Sequence, residues 1–232
     1  PHDRKTEKTV PLPASAAWNS IPSSPTPCFM STPKIITLDA DGVLLDYSSA
    51  YAKAWERYSG LAPMEHQPYA YWPMERWGVP RLEGQDLVAF RRQFDEAFWG
   101  ALPAIPGALQ ACQLLVQHGY ELVCVTALDE RFGQARRHNL QSLGFPIKRV
   151  ITTSMDAPQG SPKAPVMRAL QPAAFVDDFA PYFVGVAPGI HKALVMRDPY
   201  GSPNTPEIVE LADSSHPDLL GFARWWVEHQ RG

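Results

Sequence analysis

Two carboxylates spaced i, i+2 follow a short apolar run and are followed at once by glycine: Ile35-Ile36-Thr37-Leu38-Asp39-Ala40-Asp41-Gly42. Aspartate is depleted in strands, so two at the end of one suggest a site. Alternation along a strand places residues i and i+2 on the same side. Asp39 and Asp41 are thereby expected to face one small volume. One acid can then attack an electrophile while the other moves protons. The same residues have plainer uses. Asp-Gly is a turn signal, and Asp46, a few residues on, is placed to cap the next helix.

The stretch Asp39–Asp46 resembles the first motif of the haloacid-dehalogenase (HAD) phosphohydrolases, an apolar strand running into Asp-x-Asp-Gly. The other motifs of that family follow in order. Glu121-Leu122-Val123-Cys124-Val125-Thr126 is similar to the strand that ends in Thr or Ser. Lys163, the only lysine between Lys148 and Lys192, matches the third motif. Ala173-Ala174-Phe175-Val176-Asp177-Asp178 is similar to the strand that ends in paired acids. The resemblance runs from about Lys34 to the end of the chain. It implies Asp39 as nucleophile, Asp41 as general acid and base, and Thr126 and Lys163 as holders of the phosphoryl oxygens. It also implies Mg²⁺, a hard cation that takes oxygen ligands. The implied ligands are Asp39, the backbone carbonyl of Asp41, and Asp178, with Asp177 as an outer or alternative ligand.

The elements that must hold these residues can be read from the pattern. From residue 105 onward, strand-like and helix-like runs alternate. Helices are expected over Pro106–His118, from Asp129 to about Leu143, over Ala164–Leu170 and over Leu219–Glu228, with a helical turn at Tyr182–Val186. Strands are expected at Leu122–Thr126, Val150–Thr152, Ala174–Asp177 and Ala193–Met196. Such alternation predicts an α/β fold: a Rossmann-like parallel sheet with helices on both faces. Ligands of such sheets bind beyond the carboxyl ends of the strands, where Asp39, Asp41, Thr126, Asp177 and Asp178 fall.

Residues 49–104 interrupt the alternation and predict a helical insert, leaving 34–48 and 105–232 as the core. In the resembled family an insertion here is a cap over the site. Tyr51, Trp55 and Tyr58 recur at helical spacing, as do Leu87, Phe90, Phe94 and Phe98. Residues 47–104 hold 12 of the chain's 25 aromatic residues. Two readings stay open. A small helical insert needs large side chains to build a core, and some of them, such as Tyr71, Trp72, Trp77 or Trp99, are candidates to stack on a flat substrate.

Composition narrows the function classes. The 232 residues carry a net charge of -3 and a pI near 6.2, with no basic stripe to follow a nucleic-acid polymer. No apolar run approaches the ~18 residues of a membrane span. Cys28, Cys112 and Cys124 form no CxxC, and a reducing, cytoplasmic setting is expected. The seven histidines are scattered, which disfavours a histidine zinc site. Residues 1–33 hold seven of the 24 prolines and no apolar period, and are expected to be a disordered tail, with Met30 a candidate natural start.

A narrower resemblance links Asp39–Tyr47, Leu102–Ala108 and Arg197–Tyr200 to the 5′(3′)-deoxyribonucleotidase group. Ala127 departs from that group's Ser in the phosphate pocket, and Gly201 from its Asn. The expected substrate is a small phosphomonoester, with a nucleoside monophosphate favoured. A sugar phosphomutase and a non-catalytic binding module of the same fold are the alternatives. Asp41 argues against dehalogenation, since a departing halide needs no proton. Lys53, the only lysine of the insert, is weak support for a Schiff-base phosphonatase. The oligomeric state is not legible.

Overall fold

The computed structural model of the protein describes residues 33–154 and 160–230. The expected tail, apart from Pro33, and with it Cys28 and Met30, lies outside the described residues. Six parallel strands form one sheet in the order β3-β2-β1-β4-β5-β6: β1 Ile35–Leu38, β2 Glu121–Ala127, β3 Arg149–Thr153, β4 Ala174–Asp177, β5 His191–Val195 and β6 Ser214–His216. Residue alternation sends side chains to both faces. Leu122, Cys124, Val176 and Val195 join one buried cluster, while Val123, Val125, Phe175 and Leu194 join another. Helices α5 (Ala108–Gln117) and α9 (Leu219–His229) cover the first face. Helix α7 (Ala164–Leu170) and the 3₁₀ turn Ala180–Phe183 cover the second. Cys112 and Cys124 are buried free thiols.

The strand order reverses direction between β1 and β4. The chain works outward from β1 to β2 and β3, then returns to β4 on the other side. Loops leaving β1 and β4 therefore diverge and leave a crevice at their carboxyl ends. The expected sheet and most of its elements are present. Two were not anticipated: β6, whose Ser-Ser-His has no apolar pattern, and the one-turn helix α8 (Pro206–Val209). The helix expected from Asp129 begins as a 3₁₀ turn at Glu130–Phe132 and becomes α6 only at Gly133–Ser142.

Between β1 and α5 the chain forms four helices, α1 (Tyr47–Ser59), α2 (Pro73–Arg76), α3 (Gly84–Arg91) and α4 (Glu96–Trp99). Asp46 caps α1 by accepting from the Ser49 amide at 3.0 Å. The two ends of this insert meet at a small bridge of Leu45 with Ala104. There the Asp46 amide donates to Pro103 O at 2.8 Å, and the Ile105 amide to Leu44 O at 2.9 Å. A second bridge, Ala70 with Tyr200, ties the insert to the loop after β5. From Pro33 onward the insert and sheet pack as one unit.

The helical period expected through Leu87, Phe90, Phe94 and Phe98 is broken. Asp95 accepts from the Phe98 amide at 2.8 Å and starts α4 as a separate helix. The aromatic positions still converge. Phe90 meets Tyr51, Trp55, Tyr58 and Phe94 at centroid distances of 5.1 to 5.5 Å. Much of the aromatic richness of the insert thus builds its own core. Phe90→Ala should cost about 3–5 kcal/mol of unfolding free energy in urea denaturation, because the cavity sits at the centre of this cluster. A loss below ~1 kcal/mol would show that the cluster collapses around the gap.

Candidate active site

At the crevice, Asp39 follows β1 directly, and its amide still donates to Val176 O of β4 at 2.9 Å. The strand has ended, however. Residues Asp39–Leu45 coil back, with the amides of Leu44 and Leu45 donating to Ala40 O at 2.9 and 2.8 Å. Asp39 and Asp41 do face one volume, but a tight loop brings them there rather than strand alternation. Gly42 sits in this loop at φ +94°, where L side chains are strained. A Cβ there would also collide with the Asp178 carboxylate, so glycine lets the loop pass against β4's acids.

A cleft of about 210 Å³ opens at this point. Asp39, Asp41, Thr126 and Asp178 form its polar floor, with the Ala127 methyl beside them. Tyr71, Trp72, Phe179 and Tyr182 form its aromatic walls. Lys163, which precedes α7, is fully buried beneath the floor. Its ammonium donates to Asp39 Oδ1 at 2.5 Å and to Asp177 Oδ2 at 2.7 Å, and lies 4.7 Å from the Tyr182 ring centre. Asp177 is wholly buried, and its other oxygen accepts from the Phe179 amide at 2.9 Å. Asp178, by contrast, faces the cleft.

Seven of the residues singled out from the sequence therefore converge here: Asp39, Asp41, Thr126, Ala127, Lys163, Asp177 and Asp178. Trp72 also lines the cleft. Trp77 does not: its indole N–H donates to Ser48 O at 2.8 Å, and its ring packs on the hydrophobic core. Trp99 is likewise absent from the lining, stacked on Tyr47 at 5.9 Å.

Two arginines complete the site and were not anticipated. Arg197, just after β5, donates to Asp178 Oδ2 through Nη2 at 3.1 Å and Nε at 3.2 Å. It also pairs with Asp198 and lies 5.3 Å from the Tyr71 ring centre. Arg136 on α6 is fully buried, and its Nη2 donates to Asp41 at 2.9 Å. Asn204 holds the loop beyond β4, donating to Asp178 O at 2.8 Å and accepting from the Ala180 amide at 2.8 Å.

Burial and neighbouring charge oppose one another throughout this site. Burial alone would lower the Lys163 pKa, but Asp177 and Asp39 outweigh it and raise it, so the ammonium stays charged. Burial raises Asp177 well above the usual carboxylate range, against the pull of Lys163. Burial also raises Asp178, to about 6, with Arg197 opposing and Asp39 adding to the rise. Asp41 is raised by burial, with Arg136 opposing. Burial holds both cleft phenols protonated, with Tyr182 pushed up to about 12 and Tyr71 raised too.

Asp39, Asp177 and Asp178 place one oxygen each within 4.8 Å of one another. Three buried carboxylates share two cations, Lys163 and Arg197, a shortage of positive charge that adds to the burial raising the pKa values of Asp177 and Asp178. A hard divalent cation bound by oxygen would relieve that shortage. The donor set thus fits such an ion.

No protein-family model matches the chain, and no curated protein matches it in sequence. Solved structures do match in fold. A HAD family hydrolase from Deinococcus radiodurans R1, solved with bound phosphate and sodium, superposes with a TM-score of 0.59 at 14% identity, covering 86% of this chain and 98% of that one. A predicted phosphoglycolate phosphatase from Haemophilus somnus gives 0.55 at 17% identity, covering 85% and 99%. The L-2-haloacid dehalogenase from Xanthobacter autotrophicus, solved with chloropropionic acid covalently bound, gives 0.52 at 18% identity, covering 84% and 98%.

The acidity of Asp178 makes a pH prediction. The folded carboxyl, at about 6, holds a proton that the unfolded chain, at the ordinary 3.8, has already lost. Its stabilising contribution is therefore present below about pH 4 and lost as pH rises through about 6. Metal-free protein should lose up to ~3 kcal/mol over that interval, read by urea denaturation in EDTA. Asp178→Asn or excess Mg²⁺ should flatten the slope. An EDTA sample equally stable at pH 4 and pH 6.5 would contradict the assigned burial cost.

Proposed function

The chain folds as the haloacid dehalogenase (HAD) hydrolases do, and from that premise we propose that it hydrolyses a small phosphomonoester through an aspartyl-phosphate. The observation that carries this reading is Asp39 and Asp41 side by side on one cleft floor, with Thr126 beside them and Lys163 bonded to Asp39 at 2.5 Å. Lys163 holds the Asp39 carboxylate in place and sets a positive charge against it, as a nucleophilic carboxylate requires.

In the first step Asp39 attacks phosphorus, the bond to the leaving oxygen breaks, and Asp41 gives that oxygen its proton. In the second step water attacks the phosphorus, Asp41 takes the water's proton, and Asp39 is released with inorganic phosphate. Asp41 suits both roles because burial raises its pKa and so favours the protonated form that the first step needs. The Thr126 hydroxyl and Lys163 ammonium offset charge on the phosphoryl oxygens. Asp39, Asp178 and the backbone carbonyl of Asp41 would hold Mg²⁺, with Asp177, already committed to Lys163 and the Phe179 amide, in an outer position. When bound, the ion neutralises the repulsion between the phosphate dianion and the attacking carboxylate.

Dehalogenation is disfavoured on chemical grounds. A halide leaves without a proton, and a half-buried acid held by its own arginine would then have no task. We read the helical insert, residues 49–104, as a cap that encloses small substrates. Within that class a nucleoside monophosphate is favoured, because Tyr71 and Trp72 offer flat faces beside the phosphate site, and base stacking is worth ~1–3 kcal/mol per base. Trp77 is committed to Ser48 and offers the cleft no face.

Asp39→Asn should reduce phosphatase turnover to background with the fold retained, and EDTA should abolish wild-type activity until Mg²⁺ is restored. Turnover of the variant within tenfold of wild type would overturn the nucleophile. A metabolite panel tests the substrate class: nucleotides should lead, and Trp72→Ala should raise their KM while sparing nitrophenyl phosphate. Sugar phosphates ahead by tenfold in kcat/KM would reject the nucleotide, and an isomerised product without free phosphate would make the protein a phosphomutase.

A further inference from the structure

Arg136 is the largest fully buried side chain of the described residues. A buried arginine is costly unless its donors are satisfied. Its Nη2 stands 2.9 Å from both oxygens of Asp41. Nε and Nη1 are buried without a hydrogen-bond partner among the described residues. The guanidinium carbon lies 5.2 Å from the centre of the Trp99 ring, a face that accommodates a weakly hydrated planar cation. The side chain is thus spent on a single acceptor, the acid that must donate to the leaving oxygen, and α4 of the insert closes over its back. A core ion pair built for stability would use more of the donors.

We propose that Arg136 is the positioning residue of Asp41: it fixes the carboxyl beside the leaving oxygen, and through Trp99 it couples that placement to the insert. The role rests on the phosphatase reading above. Arginine is specified because its planar fork, wedged between Trp99 and Asp41, sets direction as well as charge. A lysine offers a compact ammonium on a flexible stem and sets charge alone. The proton itself stays Asp41's: it passes from the Asp41 carboxyl to the leaving oxygen as the phosphorus–oxygen bond breaks, and Arg136 gains and loses none.

The test is a double-mutant cycle on two substrates. Arg136→Met should lower kcat on an alkyl phosphate by ~10²-fold, the scale of general-acid catalysis, with far less loss on nitrophenyl phosphate and little change in KM. In an Asp41→Asn background the same substitution should cost no more than ~3-fold, since the group it positions is already gone. Arg136→Lys should fold if Arg136→Met does not, and should show an intermediate loss with the same preference for the good leaving group. Equal losses on both substrates, or full additivity with Asp41→Asn, would overturn the role. A second readout needs no turnover. In a crystal structure of either variant the Asp41 carboxylate should leave its place or spread over several rotamers. An unmoved, single Asp41 conformer would refute positioning whatever the enzyme's substrate is, whereas a displaced Asp41 in a protein without phosphatase activity would retire only the reaction.

Discussion

One buried ammonium organises this molecule. Lys163 carries its charge into the fully buried region between the ends of β1 and β4. Desolvation of that charge is tolerable only because Asp39 and Asp177 stand within 2.5 and 2.7 Å. The dependence runs both ways, since both carboxylates draw on the same lysine for their counter-charge. The positions of two strand ends and the start of α7 are therefore fixed relative to one another by a three-body interaction. Substituting any one member leaves a charge buried without its counterpart, and the sheet's reversal between β1 and β4 supplies the crevice in which this arrangement fits.

Around that centre the remaining acids are distributed to separate cations. Asp41 belongs to Arg136 on α6, and Asp178 to Arg197 after β5. Each pairing spans different elements, so the electrostatics also knit the fold. Gly42 is the steric counterpart: its missing side chain lets the loop from β1 lie against Asp178 and Arg197. The result is four carboxylates facing three cations, an imbalance that favours a bound cation and disfavours additional anionic groups in the cleft.

Much of the site was legible because its residues break a rule at a recognisable place. An acid or a hydroxyl at the end of an apolar run stands out, which is how Asp39, Thr126, Asp177 and Asp178 declare themselves. Lys163 is identified by being the only lysine in its interval. Arg136 gives no such signal. It lies in Gly-Gln-Ala-Arg-Arg-His-Asn, beside an exposed Arg137, and reads as one more solvated helix residue. Only the alternation of burial around α6 separates the two arginines, and that helix is too polar for its inner face to be read from pattern. Arg197 is hidden for a related reason, in a loop whose path depends on the insert. The aromatic residues mislead differently: core and cleft draw on the same side chains, so nothing in the sequence assigns Trp72 to the cleft and Trp77 to the interior. In the fold, β6 was invisible because Ser-Ser-His gains its place from β5's backbone and not from hydrophobic burial.

The insert is fastened twice, at its base by Leu45 and Ala104 and at its far side by Ala70 and Tyr200. The second fastening consists of Tyr71 N–H to Tyr200 O at 2.9 Å and Tyr200 N–H to Tyr69 O at 3.0 Å, with Glu75 crowding Gly201 beside them. A segment held at one end can swing as a rigid flap. Held at both, it can move against the sheet only by peeling one seam, so its displacement becomes a local melting event. Such an event carries a large enthalpy of activation and is steeply temperature-dependent, in contrast to the shallow dependence of a hinge. The mobility of the insert would then be governed by two backbone hydrogen bonds that flank Tyr71, on the wall of the cleft itself.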